Sequence, residues 1–215
     1  MKYKIAIFDM DGTILDTLED LKDSLNYVLE NNGFKTRTID EVRKFVGNGI
    51  RLLVERGVGE GASKEIVDKV FSEFNAYYKI HCKDKTKPYD GICEVVKKIK
   101  EQGIITAVVS NKSDFAVQEL MPVYFPDLFD FALGLREGIE KKPAPDSVFE
   151  ILRRYNMQKE DSVYIGDSEV DVQTAINSGI DCIAVTWGFR SIDILKKQGA
   201  DNFAFCPEEL LNKLL

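Results

Sequence analysis

The sequence predicts an α/β protein, a parallel sheet with helices on both faces into which an all-helical subdomain is inserted. Three observations carry this expectation. Short apolar runs rich in Val, Ile and Phe recur at strand length; from residue 90 onward they alternate with helical periodicity; and residues 17–81 follow the helical period with no convincing strand.

The first strand is Ile5–Phe8, and the chain follows it at once with FDMDGTILDT, residues 8–17, where three carboxylates (Asp9, Asp11 and Asp16) and a glycine crowd the end of an apolar run. In the insertion, Leu18, Leu21, Leu25, Val28 and Leu29 mark one helical stripe. Ile66, Val67, Val70, Phe71, Phe74, Tyr77 and Tyr78 mark another, its four aromatics expected in the subdomain core. Asn32-Gly33 reads as a helix stop, and Thr38 followed by Glu41 as a capping box. Polar residues 82–88 then return the chain, forming with Asp16-Thr17 a two-strand hinge. Beyond it come a helix marked by Ile92, Val95, Val96 and Ile99, strands at 104–109 and 131–133, a helix marked by Val148, Phe149, Ile151 and Leu152, and strands at 163–165 and 182–185. Residues 1–16 and 82–215 are thus assigned to the α/β core and residues 17–81 to the helical subdomain.

At 215 residues the chain has room for one ordinary domain and a smaller appended one. Its 44% hydrophobic and 30% charged residues are the balance of a soluble globular protein, not of a disordered or membrane one. A net charge of −7 argues against a nucleic-acid partner, which calls for a surplus of Lys and Arg to displace counterions. Asp9 interrupts the N-terminal apolar run too early for a signal peptide, and no uncharged stretch nears the ~20 residues of a membrane span. The expectation is a cytoplasmic protein with no membrane partner; monomer and homodimer are both left open. Cys82, Cys93, Cys182 and Cys206 lie far apart with no C-x-x-C pair, and are expected to be reduced and mostly buried. The single histidine, His81, follows no Ser or Cys motif, so proton transfer falls to carboxylates.

Three expected strands end in abruptly polar residues: Asp9, Ser110-Asn111 and Gly166-Asp167. In an open parallel sheet those ends share the edge where ligands bind. The loop after the third strand adds Lys141-Lys142-Pro143, and Asp171 lies one helical turn past Asp167. Several acids with one obvious cation suggest a divalent metal on oxygen ligands, and Mg²⁺ fits best because it takes one or two carboxylates, waters and phosphate oxygens. A phosphate dianion 4 Å from a carboxylate meets a repulsion of roughly 8 kcal/mol at an effective dielectric of 20. With metal and lysine offsetting it, Asp9 can attack phosphorus as the nucleophile. Asp11 can then protonate the departing alkoxide and later take a proton from water, its pKa raised by negative charges nearby. Gly12 lets the backbone pass close to the phosphate.

Asp9-Met10-Asp11-Gly12-Thr13, Ser110-Asn111, Lys142-Pro143 and Gly166-Asp167-Ser168-Glu169-Val170-Asp171, in that order, resemble the four motifs of the haloacid dehalogenase-like phosphatases. The resemblance spans essentially the whole chain and puts the helical insertion at the position of that family's small cap on a Rossmann-like core. It implies Asp9 as nucleophile, Asp11 as acid and base, and Ser110 and Lys142 as phosphate holders, with Gly12, Thr13 and Asn111 at the substrate phosphate. It implies Mg²⁺ on Asp9, the Asp11 carbonyl and Asp167, with Asp171 in support. Within the family, Phe45-Val46-Gly47-Asn48-Gly49-Ile50-Arg51 resembles the cap of phosphoglycolate phosphatases. A Gly47-Asn48-Gly49 turn entering a helix suits a small carboxylate, and Arg51 can add a charged hydrogen bond.

Plainer readings compete with each signal. An EF-hand calcium loop is rejected, since Ile14 and Asp20 stand where its glycine and glutamate belong. Asp171 can simply cap its own helix, Ser110 and Asn111 can be turn residues, and Lys112 is a lower-ranked third cation. One of Lys141 and Lys142 is expected to be a solvated surface charge, and Trp187 a loop anchor. The function expected is a Mg²⁺-dependent phosphatase acting on a small phosphorylated metabolite, phosphoglycolate first. A phosphosugar mutase like β-phosphoglucomutase and an inorganic pyrophosphatase are close rivals, a dehalogenase has no use for the second aspartate, and a receiver-like signalling domain would carry its Lys-Pro last.

Overall fold

The computed structural model describes residues 2–215. Its strands are β1 (Ile5–Phe8), β2 (Leu15–Asp16), β3 (Lys87–Pro88), β4 (Ile105–Ser113), β5 (Phe131–Leu135), β6 (Ser162–Gly166), β7 (Asp181–Val185) and β8 (Phe203–Ala204). Six of them form one sheet in the order β5-β4-β1-β6-β7-β8, each neighbouring pair running parallel. The order reverses beside β1: the chain builds outward through β4 and β5, then returns to lay β6 on the other side. The crevice beyond the ends of β1 and β6 is the switch point at which such sheets bind ligands.

The helices are α1 (Leu18–Asn31), α2 (Ile39–Phe45), α3 (Ile50–Val58), α4 (Lys64–His81), α5 (Ile92–Glu101), α6 (Asp114–Tyr124), α7 (Asp146–Tyr155), α8 (Glu169–Ser178), α9 (Ile192–Lys197) and α10 (Pro207–Leu214). All four residues of β1 are wholly buried, as a central strand covered on both faces demands. Ile5 and Ile7 pack with Ala107, Val109 and Tyr164 against Val148, Ile151 and Leu152 of α7 and Ala175 of α8. The two-residue alternation of a strand turns Ala6 and Phe8 to the opposite face. In α5 the expected stripe, Ile92, Val95, Val96 and Ile99, is buried.

Two strand expectations change. The second strand was expected to stop at Val109, where the apolar run ends, but β4 continues to Ser113; pairing with β5 breaks register between Val109 and Ser113. Ser110, Asn111 and Lys112 are therefore buried strand residues and not turn residues, because side-chain hydrogen bonds take over where apolar packing ends. The sixth strand, β8, is only two residues long and leaves no periodic trace.

Asp16–Lys87 forms a second compact unit, which holds α1 to α4; the chain enters and leaves it through β2 and β3, which pair with each other. Leu18, Leu21, Leu25, Val28 and Leu29 of α1 are buried, as are Val67, Val70, Phe74 and Tyr78 of α4. Thr38 and Glu41 form both bonds of the capping box at α2, and α1 ends at Asn31 with Gly33 at φ +74°. The aromatic expectation holds only for Phe74 and Tyr78: Phe71 and Tyr77 are half-buried, and Tyr77 stacks on Tyr27 and His81 with centroids 3.9 and 4.1 Å away. Buried Asp20 accepts hydrogen bonds from the Lys85 and Thr86 amides at 3.0 and 2.8 Å, tying the returning segment to α1. All four cysteines are free, but Cys82 alone is fully buried; Cys93, Cys182 and Cys206 sit near the ends of elements and are half-buried.

Burial sets the expected cost of truncation. Ile7→Ala, in the covered central strand, should lower unfolding free energy by about 2–5 kcal/mol, while Ile176→Ala on the exposed side of α8 should stay within about 0.5 kcal/mol, both read from urea midpoints.

Candidate active site

β1 ends at the switch point and delivers Asp9, whose amide donates to the Ile165 carbonyl of β6 at 2.8 Å. That bond fixes the Asp9 backbone in the sheet. Asp167 follows β6, and Asp171 stands in the first turn of α8; Asp9, Asp167 and Asp171 each place a carboxylate oxygen within 4.8 Å of the others. Their exposures are 7, 1 and 0%. Into the group reaches Lys142, 3% exposed, whose ammonium donates to Asp9 Oδ1 at 2.7 Å, Asp171 Oδ1 at 2.7 Å and the Tyr164 hydroxyl at 2.9 Å. Lys141 is exposed, so the pair divides as anticipated into one surface charge and one interior charge.

Neutral groups hold this charged centre in place. Asn111 pairs with the Lys142 backbone through both ends of its amide: the Lys142 N–H donates to Oδ1 at 2.8 Å, and Nδ2 donates to the Lys142 carbonyl at 3.1 Å. Asn111, anticipated at the substrate phosphate, thus positions the lysine loop. Thr13, anticipated in the same role, is fully buried and donates its hydroxyl to Asp167 Oδ1 at 3.2 Å, while the Phe189 amide donates to Asp167 Oδ2 at 2.6 Å. Asp171 is both cap and site residue: Oδ2 accepts from the Ser168 amide and hydroxyl at 3.0 and 2.6 Å in a capping box, and Oδ1 meets Lys142. Gly12 lies at φ +92°, and a Cβ there would overlap the Asp167 carboxylate. The glycine is therefore required by the neighbouring acid in this structure. The Trp187 indole N–H donates to the Thr13 carbonyl at 3.1 Å, anchoring the loop as expected.

Asp11 departs from expectation. Its carboxylate was to stand among negative charges; instead both oxygens accept from the Lys112 ammonium at 3.0 Å. Lys112 is buried in β4, and its importance had no sequence signal beyond adjacency to Asn111. Tyr164 and the Arg190–Glu169 pair at 2.7 Å were also missed, the first because an aromatic residue inside a strand reads as core. Ser110 is 6% exposed at the end of the apolar part of β4 and accepts from the Lys112 amide at 3.2 Å. The anticipated cap residues Gly47, Asn48, Gly49 and Arg51 lie in the other unit. Gly47 and Gly49 have φ of +105° and +89°, Gly49 precedes α3, and the Arg51 guanidinium pairs with Asp68 and, at 3.2 Å, Glu55.

The electrostatics favour a cation. Burial, then the charge of Asp171, raises the Asp9 pKa well above the carboxylate range despite Lys142. Burial and Asp171 also raise Asp167 from 3.8 to about 7, against the Phe189 amide, Arg190 and Thr13. Burial opposes the Lys142 charge, but Asp171 and Asp9 outweigh it and hold its pKa well above 10.5. Three buried carboxylates with one lysine among them are short of positive charge, and oxygen donors this close fit a hard divalent ion.

A family model described as haloacid dehalogenase-like hydrolase matches residues 6–185. The chain belongs to the haloacid dehalogenase-like hydrolases. The sequence resemblance to that family and the α/β fold expected from it are both borne out. Among relatives of this hydrolase, a protein of Psychrobacter arcticus named phosphoglycolate phosphatase is 34% identical over 201 residues, covering 88% of this chain and 86% of its own. A protein of Caldanaerobacter subterraneus subsp. tengcongensis, provisionally named a pyrophosphatase, is 32% identical, covering 94% and 90%. A crystal structure from Lactobacillus delbrueckii subsp. bulgaricus, provisionally named as a phosphoglycolate phosphatase, superposes with a TM-score of 0.97 at 42% identity, covering 100% of this chain and 99% of that one.

The raised Asp167 pKa has a measurable sign. Between 3.8 and about 7 the folded chain binds more protons at this residue than the unfolded chain, so its contribution is complete below 3.8 and is lost as pH rises through about 7. In EDTA, the stability of the native chain relative to Asp167→Asn should therefore fall from pH 5 to pH 8. A difference that stays flat in paired melting curves would contradict the crowding of carboxylates.

Proposed function

We propose that this hydrolase is a Mg²⁺-dependent phosphatase that cleaves small phosphomonoesters through an aspartyl phosphate on Asp9, with phosphoglycolate the first candidate substrate. The single observation that carries the reading is Asp9 itself: a carboxylate at the end of the central strand, gripped by Lys142 at 2.7 Å and crowded by two further buried acids. The names of the relatives favour a phosphatase over a dehalogenase.

Lys142 holds Asp9 Oδ1 and fixes the direction from which the carboxylate meets phosphorus. An Asp9 oxygen forms the new P–O bond while the ester P–O bond breaks, and the proton of the Asp11 carboxyl passes to the departing alkoxide. In the second half, water attacks phosphorus, Asp11 takes its proton, and the P–O bond to Asp9 breaks to release phosphate. Ser110 and Lys142 hold the phosphoryl oxygens. Asp9, Asp167 and Asp171, with the Asp11 carbonyl, are the residues that would hold Mg²⁺; when bound, the ion neutralises phosphoryl charge.

The relative named as a pyrophosphatase supports a second reading, in which the leaving group is itself a phosphate. Rates of phosphate release from phosphoglycolate and from pyrophosphate separate the two.

Asp9→Asn should abolish phosphate release, by at least about 10³-fold, and leave the fold intact, since it removes a buried charge that burial already disfavours. Retained turnover in a pure sample would remove Asp9 from its role. Wild-type turnover should stop in EDTA and return with Mg²⁺; activity indifferent to chelation would remove the metal.

A further inference from the structure

Lys112 is the second buried lysine of the catalytic unit, its side chain 1% exposed, in a strand whose neighbouring positions are apolar or neutral. Burying an ammonium costs several kcal/mol unless a partner or a ligand repays it. Asp11 offsets part of that cost, accepting through both oxygens at 3.0 Å, and Asp11 is the more exposed member of the pair, at 22%. Of the two, Asp11 is therefore the member that solvent reaches.

We infer that Lys112 is a specificity-determining residue that binds an anionic group on the leaving side of the substrate. The inference rests on the reading of Asp11 as the group that protonates the leaving oxygen. If an Asp11 oxygen stands within hydrogen-bond reach of that leaving oxygen, an ammonium touching both Asp11 oxygens stands a few ångströms beyond it. An anionic oxygen two or three bonds from the scissile one falls within the same radius. When Asp11 turns one oxygen to the leaving group, Lys112 keeps its bond to the other and exchanges the released bond for the substrate's anion. The ammonium then stays paired throughout, and the substrate supplies the replacement charge.

The chemistry is shared by two sources: the carboxylate of phosphoglycolate and the departing phosphate of pyrophosphate. An alcohol of the same size without charge, as in 2-hydroxyethyl phosphate, offers Lys112 nothing ionic. The other cation anticipated for this task, Arg51, is already paired with Asp68 and Glu55.

The test compares kcat/KM for phosphoglycolate, pyrophosphate and 2-hydroxyethyl phosphate in the Mg²⁺-loaded wild type, Lys112→Gln and Lys112→Arg. In the wild type at least one anionic substrate should exceed the neutral one by about tenfold to a hundredfold, the worth of one charge-assisted hydrogen bond. Lys112→Gln should collapse that ratio, mostly through KM, and Lys112→Arg should restore part of it. Which anion shows the larger ratio identifies the source. A wild type with no preference for an anionic leaving group overturns the inference without recourse to a variant. So does Lys112→Gln losing activity equally on all three, which would make Lys112 a holder of Asp11 alone. A wild type inactive on all three substrates would instead overturn the phosphatase reading.

Discussion

Three carboxylates buried around a single lysine are the constraint on which the rest of the α/β unit depends. Asp9, Asp167 and Asp171 are each less than a tenth exposed, and Lys142 contacts two of them. One ammonium cannot compensate three anions removed from water, and burial accordingly pushes Asp9 and Asp167 toward their neutral forms. Such a centre is a poor device for stability. It suits the proposed function, which asks it to receive further positive charge and then a phosphoryl group, because the donors are already in place and little need reorganise on binding.

The surroundings make this tolerable. Each charged group is oriented by neutral donors and acceptors: Asn111 on the Lys142 backbone, Thr13 and the Phe189 amide on Asp167, and Ser168 on Asp171. These come from β4, from the loop after β1, from the segment after β7 and from the start of α8. The sheet edge is the one place where all of them meet, which is why residues so distant in the chain act together. Asp171 shows the economy of this arrangement, since the same carboxylate starts a helix and meets the lysine.

Much of this was legible in the sequence, for physical reasons that differ from place to place. The covered strands announced themselves as apolar runs, and α1, α4, α5 and α7 by stripes at helical spacing, because burial on one face leaves a period. The acids were visible because carboxylates directly after an apolar strand have little structural excuse. What escaped was polar chemistry inside elements. Ser110, Asn111 and Lys112 looked like the end of β4, since nothing in composition tells a buried hydrogen-bonded strand residue from a turn. Tyr164 looked like core, and Lys112 like a lesser copy of Lys142. Gly12 was read as leaving room for a phosphate beside the backbone; in the fold its missing side chain accommodates the Asp167 carboxylate.

The indole of Trp187 closes onto the carbonyl of Thr13, one residue beyond Gly12. It is the chain's only tryptophan. The protein thus carries an intrinsic fluorophore wired to the loop that supports Asp167, so emission excited at the red edge of the protein's absorbance belongs to a single known location. Whatever rearranges that loop writes itself into one optical signal, with no label to attach and no second indole to subtract.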